Sequence, residues 1–174
     1  MSCIVAISDG KRVHMACESA ATSTDGDRRL IVPNKIIKNG NYLIGFSGSI
    51  RVKQLLGPRF FTPPKNILDF PNSLVAHLED KKALSFTEEQ TIMFLCNIII
   101  AQKHKMYEIL SDFQLNEPVV DYVTVGAGAH YAFGSLATTL ELGGINIKER
   151  LVLALNAACL YSSDCKGPYQ FYNT

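Results

Sequence analysis

Two blocks of short apolar runs split by tight turns, each block followed by helical patterns, leave this chain few folds to choose from. Cys3–Ile7 turns at Asp9-Gly10 and returns through Val13–Cys17, and Asp-Gly between apolar runs is a hairpin signal. Leu30–Val32 and Lys35–Lys38 read as extended, and Asn39-Gly40 turns the chain into Tyr42–Ser47. Ser49–Leu56 predicts a helix with Ser49 as its cap. Gly57–Asn72 holds four of the seven prolines and reads as an irregular loop, and helical spacing returns over Asn72–Leu84. The second block starts with Thr91–Ala101, apolar almost without break, as in a strand covered on both faces. Lys103-His104-Lys105 turns it into Met106–Leu110, and Tyr122–Val125 follows. Helices are predicted over Ala129–Leu142 and Ile147–Ser162, the second with Asn146 and Glu149 spaced as a capping box, and a last strand over Tyr169–Tyr172. Strands, helices, strands, helices, strand is the order of an α+β fold, a layered sandwich in which helices cover two sheets.

At 174 residues the chain reads as a single domain spanning 1–174, long enough to bury roughly 70% of its unfolded surface. Seventeen Lys+Arg against sixteen Asp+Glu argue against nucleic acid or an anionic membrane as the main partner. Cysteines stand at 3, 17, 96, 159 and 165, an odd number without a CxxC pair, which fits buried free thiols in a reducing compartment. The histidines form no zinc-ligand spacing, and no metal or cofactor is called for. No basic segment precedes an apolar core at the N-terminus, so a cytoplasmic protein is expected.

Chemistry enters with Ser2, directly behind Met1 and at the head of the first strand. Once Met1 is removed, one residue carries a hydroxyl and a free α-amine, whose reference pKa of about 7.7–8.0 lets it act as a base near neutrality. A hydroxyl is a weak nucleophile without such a neighbour. Many ordinary chains also begin Met-Ser, so the pattern needs support elsewhere. Four further motifs follow in order: Glu18-Ser19-Ala20-Ala21-Thr22, Lys35-Ile36-Ile37, Gly45-Phe46-Ser47-Gly48-Ser49, and the run from Gly126 to Gly134. By itself Lys35 is a surface lysine at a strand start, Glu18 a turn carboxylate and Gly48 a tight turn. The Gly126–Gly134 run has the wrong spacing for a dinucleotide loop and reads as close packing of helix on sheet.

Taken together, the motifs resemble the proteasome β-subunit and HslV-like family of N-terminal nucleophile hydrolases, over the whole chain, with the nearest likeness to small proteasome-like proteins of bacterial and phage genomes. Ser2-Cys3-Ile4-Val5 is similar to the family's N-terminal threonine strand, and Gly126 to Gly134 to its Gly-x-Gly-x-x-Tyr-Ala-x-Gly signature. The resemblance implies a four-layer α/β/β/α sandwich and a peptidase. Ser2 would be the nucleophile, Lys35 and Glu18 would tune it, and Gly48 would meet the oxyanion. Thr22, Ser47 and Ser49 would hold an extended peptide. It also implies a homo-oligomeric ring and an ATP-driven unfoldase for folded substrates. The helices Ser49–Leu56 and Asn72–Leu84 would make ring contacts, with Leu55, Leu56, Phe60 and Phe61 either anchors there or part of the core. Departures are equally specific. Ala127 stands where the family carries serine, Glu18 replaces aspartate and Ser2 replaces threonine; the family's aspartate and serine after the last long helix pair best with Ser162 and Cys165, while a shifted alignment brings Asp164 close. They leave open an alternative, a proteasome-fold ring or scaffold protein that has lost catalysis. A cysteine-type acylase using Cys3 would need both Met1 and Ser2 removed.

Overall fold

The computed structural model describes residues 2–22, 28–30, 34–86 and 92–174. Its order is β1 (Cys3–Ser8), β2 (Val13–Cys17), β3 (Ala20–Thr22), β4 (Arg28–Leu30), β5 (Ile36–Asn39), β6 (Tyr42–Gly48), α1 (Ile50–Leu55), a 3-10 turn at Ile67–Asp69 and α2 (Phe70–Asp80). There follow β7 (Ser85–Phe86), β8 (Ile92–Met93), β9 (Cys96–Gln102), β10 (Lys105–Ile109), β11 (Leu115–Asn116), β12 (Tyr122–Gly126), α3 (Ala129–Glu141), α4 (Ile147–Tyr161) and β13 (Gln170–Asn173). Two antiparallel sheets result, β12-β1-β2-β13 and β11-β10-β9-β6-β5, with β3-β4 and β7-β8 as small separate ladders. The class is α+β, as the order of patterns predicts.

Alternation along the central strands explains their unbroken apolar sequence. Cys3, Val5 and Ile7 of β1 face a core shared with Leu136 of α3 and Leu151, Leu155 and Ala158 of α4. Ile4 and Ala6 point the other way, into a core with Met15, Leu43, Ile99 and Val125 that joins the two sheets. On the far side of the second sheet, Ile44, Phe46, Ile98 and Ile100 pack against Val52 and Leu55 of α1 and Phe70, Leu74 and Leu78 of α2. Both faces of β1, β6 and β9 therefore meet an apolar core, which is why these strands read as hydrophobic on both sides. Among the described residues no helix is long and apolar enough to cross a membrane.

Several boundaries depart from the sequence expectation. Thr91 lies outside the described residues, and the strand predicted to run from it is broken at Phe94–Leu95. Phe94 donates its N–H to the Ser111 carbonyl at 2.9 Å, and the Leu95 carbonyl accepts from Ser49 N–H at 2.8 Å, leaving the Leu95 side chain 64% exposed. Helix α2 starts two residues earlier than Asn72 and stops before Leu84, because Lys82 adopts a left-handed φ of 51° and Ala83 N–H returns to the Leu78 carbonyl at 2.8 Å. Leu55, Leu56 and Phe61 are core residues, whereas Phe60 is 53% exposed. Residues 31 and 32 of the extended segment read over Leu30–Val32 lie outside the described residues.

Candidate active site

Ser2 heads β1 and is buried, 6% exposed. Two glycines shape its surroundings. Gly126 pairs with Cys3 in the β1–β12 ladder at φ +106°, and a Cβ there would lie 2.1 Å from the Ser2 carbonyl oxygen and 2.5 Å from Ser47 Oγ. Only glycine lets the main chain of β12 come this close. Gly128 donates its N–H to the Ser2 carbonyl at 3.4 Å, and its own missing Cβ leaves room for Ala158 of α4 and Cys165. Close helix–sheet packing therefore accounts for Gly128, and close approach to Ser2 accounts for Gly126.

One residue along, the Cys3 N–H donates to Glu18 Oε1 at 3.1 Å. Glu18 is fully buried and follows β2 directly, where its second oxygen accepts from Ala20 N–H at 2.7 Å and Lys166 N–H at 3.3 Å. Lys35, 8% exposed at the entry to β5, donates its ammonium to Glu18 Oε1 and to the Ala20 carbonyl. A buried carboxylate needs this full set of donors, since an uncompensated charge in the interior is costly. The Phe46 N–H, donated to the Lys35 carbonyl at 2.8 Å, ties this lysine to the start of the β5–β6 ladder. Sequence placement thus brings together Ser2, Glu18, Lys35 and Ser47.

The other predicted positions have mixed outcomes. Gly48 ends β6 at φ +126°, where a Cβ would strike the Leu95 carbonyl oxygen at 2.1 Å, so the turn itself requires glycine. Ser49 caps α1, its hydroxyl accepting from Val52 N–H at 3.4 Å. Thr22 ends β3, its backbone opposite Arg28. Three features escaped sequence reasoning. Lys166 contributes a backbone donor to Glu18, which leaves no trace in residue type. Ser19 is fixed to the same segment, donating its hydroxyl to the Pro168 carbonyl at 2.7 Å and its N–H to Lys166 at 3.0 Å. Lys53 of α1 is also buried, donating to the Asn34 carbonyl at 3.1 Å, and burial lowers its pKa. Arg51 and Gln54 of the same short helix are exposed, and residue type alone does not set Lys53 apart from them.

No protein-family model and no curated protein matches this chain. Solved structures do. Over 99% of this chain and 97% of the other, it aligns with BPH of Thiobacillus denitrificans at a TM-score of 0.84, with 19% identity, and at the same score and coverage with BPH in complex with epoxomicin, at 16% identity. HslV of Trypanosoma brucei aligns over 98% of each chain at TM-score 0.70 and 18% identity. Anbu, the ancestral beta-subunit, of Yersinia bercovieri aligns over 98% of this chain and 80% of its own at 0.71, with 10% identity. At these identities the likeness is one of fold: the chain has the proteasome-like fold of BPH, HslV and Anbu.

Proposed function

We propose that this chain is a serine-type N-terminal nucleophile peptidase, a single-domain four-layer α/β/β/α sandwich that hydrolyses peptide bonds through Ser2 once Met1 is removed. The observation that carries the reading is the buried Lys35–Glu18 pair, anchored on the backbone of the residue next to Ser2. An ammonium held in the interior favours the alkoxide character of a nearby hydroxyl. In the proposed reaction Ser2 Oγ attacks the substrate carbonyl while its α-amine takes the proton. The amine then returns that proton to the leaving amine, and water hydrolyses the ester. Gly48 supplies a backbone donor to the oxyanion. Thr22, Ser47 and Ser49 line the path of an extended peptide, which pairs with β3 as an added strand. The three stacked apolar cores support the layering, and the epoxomicin bound to BPH supports a reactive N-terminus. A homo-oligomeric ring in the cytoplasm, fed by an ATP-dependent unfoldase, completes the proposal.

The test is the intact mass of untagged protein before and after exposure to a peptide epoxyketone, a warhead that closes its ring only on a hydroxyl and free amine of one residue. Loss of Met1 and one stable adduct are expected, and Ser2→Ala should abolish both adduct and peptide turnover while leaving the fold. Retained Met1, or a processed chain without adduct, would favour the second reading, a ring or scaffold protein without catalysis. The alanine at 127 motivates that alternative, because it has no hydroxyl to support the amine.

A further inference from the structure

Three of the five cysteines gather behind the candidate active site. Cys3 on β1 and Cys165, in the irregular segment between α4 and β13, are fully or almost fully buried in the same core, with half-buried Cys159 of α4 beside them. Gly128 sits between the first two: a Cβ on it would lie 2.9 Å from Cys165 Sγ and 3.1 Å from Cys3 Cβ. Their backbones converge as well. The Cys3 N–H and the N–H of Lys166, the residue after Cys165, hold opposite oxygens of the same Glu18 carboxylate at 3.1 and 3.3 Å.

We propose that Cys3 and Cys165 form a peroxide-oxidisable dithiol whose disulfide staples together the two strands of chain that hold Glu18. Among the five thiols, Cys165 is the one whose pKa lies below the ordinary value, because the Cys3 thiol donates to it, and Cys3 is raised by the same hydrogen bond. The thiolate is the form that peroxide attacks. Cys17 and Cys96 are both pushed up to about 12 by burial, in the other two cores, and lack a thiol partner. In the reaction the Cys165 thiolate takes one oxygen from hydrogen peroxide, the O–O bond breaks, and the departing hydroxide collects the thiol proton as water. The Cys3 sulfur then attacks the sulfenic acid, the S–S bond forms, and the hydroxyl leaves with the Cys3 proton as a second water. Two thiols are oxidised and one peroxide is reduced. Local opening of the segment carrying Cys165, which lies in neither helix nor strand and is tied down by the Cys165 N–H on Ser162 and the Ser19 N–H on Lys166, admits the oxidant.

The experiment treats the full chain with hydrogen peroxide, blocks remaining thiols and maps the peptides. The wild type should lose two of its five thiols and two hydrogens of mass, with one linked peptide joining Cys3 to Cys165, all reversed by dithiothreitol. Cys159→Ser should behave as wild type, and Cys165→Ser should form no linkage. Hydrogen exchange at the Lys166 amide should slow in the oxidised chain. Five free thiols after treatment, a linkage through Cys159, or unchanged exchange at Lys166 would each overturn the proposal. None of these readouts uses turnover, so they stand apart from the success or failure of the peptidase reading.

Discussion

At the scale of single residues, Glu18 and Lys35 are the pair on which the site turns. Glu18 accepts four donors and Lys35 supplies the one that carries charge. Removing one partner of a buried pair leaves the other uncompensated, and such losses run to roughly 3–5 kcal/mol. Three backbone N–H groups remain on Glu18 in Lys35→Met, which places that variant toward the lower end, about 3 kcal/mol. Glu18→Gln strands the ammonium among fewer acceptors and should cost as much or more. The two changes together should cost less than their sum, since neither then leaves a lone charge. Urea midpoints of the wild type, both single variants and the double variant close this cycle. Strict additivity would mean that the pair does not interact as its geometry requires. These residues were visible in the sequence as types at a spacing. The clamp around them was not, because three of its four donors are main-chain N–H groups, one of them, on Lys166, from the far end of the chain.

Secondary-structure elements were more legible where their signal is local. The Asp9-Gly10 and Asn39-Gly40 turns join hairpins, and the Asn146–Glu149 capping box is present in both directions at 3.0 and 2.9 Å. The break between β8 and β9 was illegible because a distant main-chain group, Ser49 N–H, captures the Leu95 carbonyl while the local sequence stays apolar. Strand β10 carries a residue whose cost depends on pH. Glu108 is half-buried opposite Asn116, and burial raises its carboxyl pKa. The folded state therefore holds its proton more tightly than the unfolded chain does, a contribution complete below the ordinary carboxyl range and lost as pH rises through the folded value. Glu108→Gln should raise stability near pH 7 by less than about 1 kcal/mol, with the gain shrinking toward zero below pH ~4. Thermal melts of both proteins across that range decide it. A gain that grows on acidification would reverse the assigned sign.

For the whole molecule, the apolar surface left uncovered by the fold bears on assembly. Leu160 and Tyr161 at the end of α4 are 73% and 66% exposed, Leu142 after α3 is 50% exposed, and the Tyr131 and Tyr161 rings lie 5.4 Å apart on the same helical layer. The predicted ring anchors on α1 and in the loop after it went mainly into the core, with Leu55, Leu56 and Phe61 buried, whereas the helical layer of α3 and α4 keeps apolar side chains open. Exposed apolar side chains clustered like those of Tyr131, Leu160 and Tyr161 mark association surfaces. A charge placed there removes apolar contact and must be desolvated if the surface is covered, whereas on a free surface it has little effect. Light scattering at micromolar concentration should give the wild type a mass several times that of one 19.2 kDa chain, and Leu160→Glu with Tyr161→Glu should move it toward the monomer without lowering the melting temperature of the single chain. A monomeric wild type would remove the ring from the proposed function. An oligomer indifferent to the two charges would keep the ring and shift its contacts away from the α3–α4 layer.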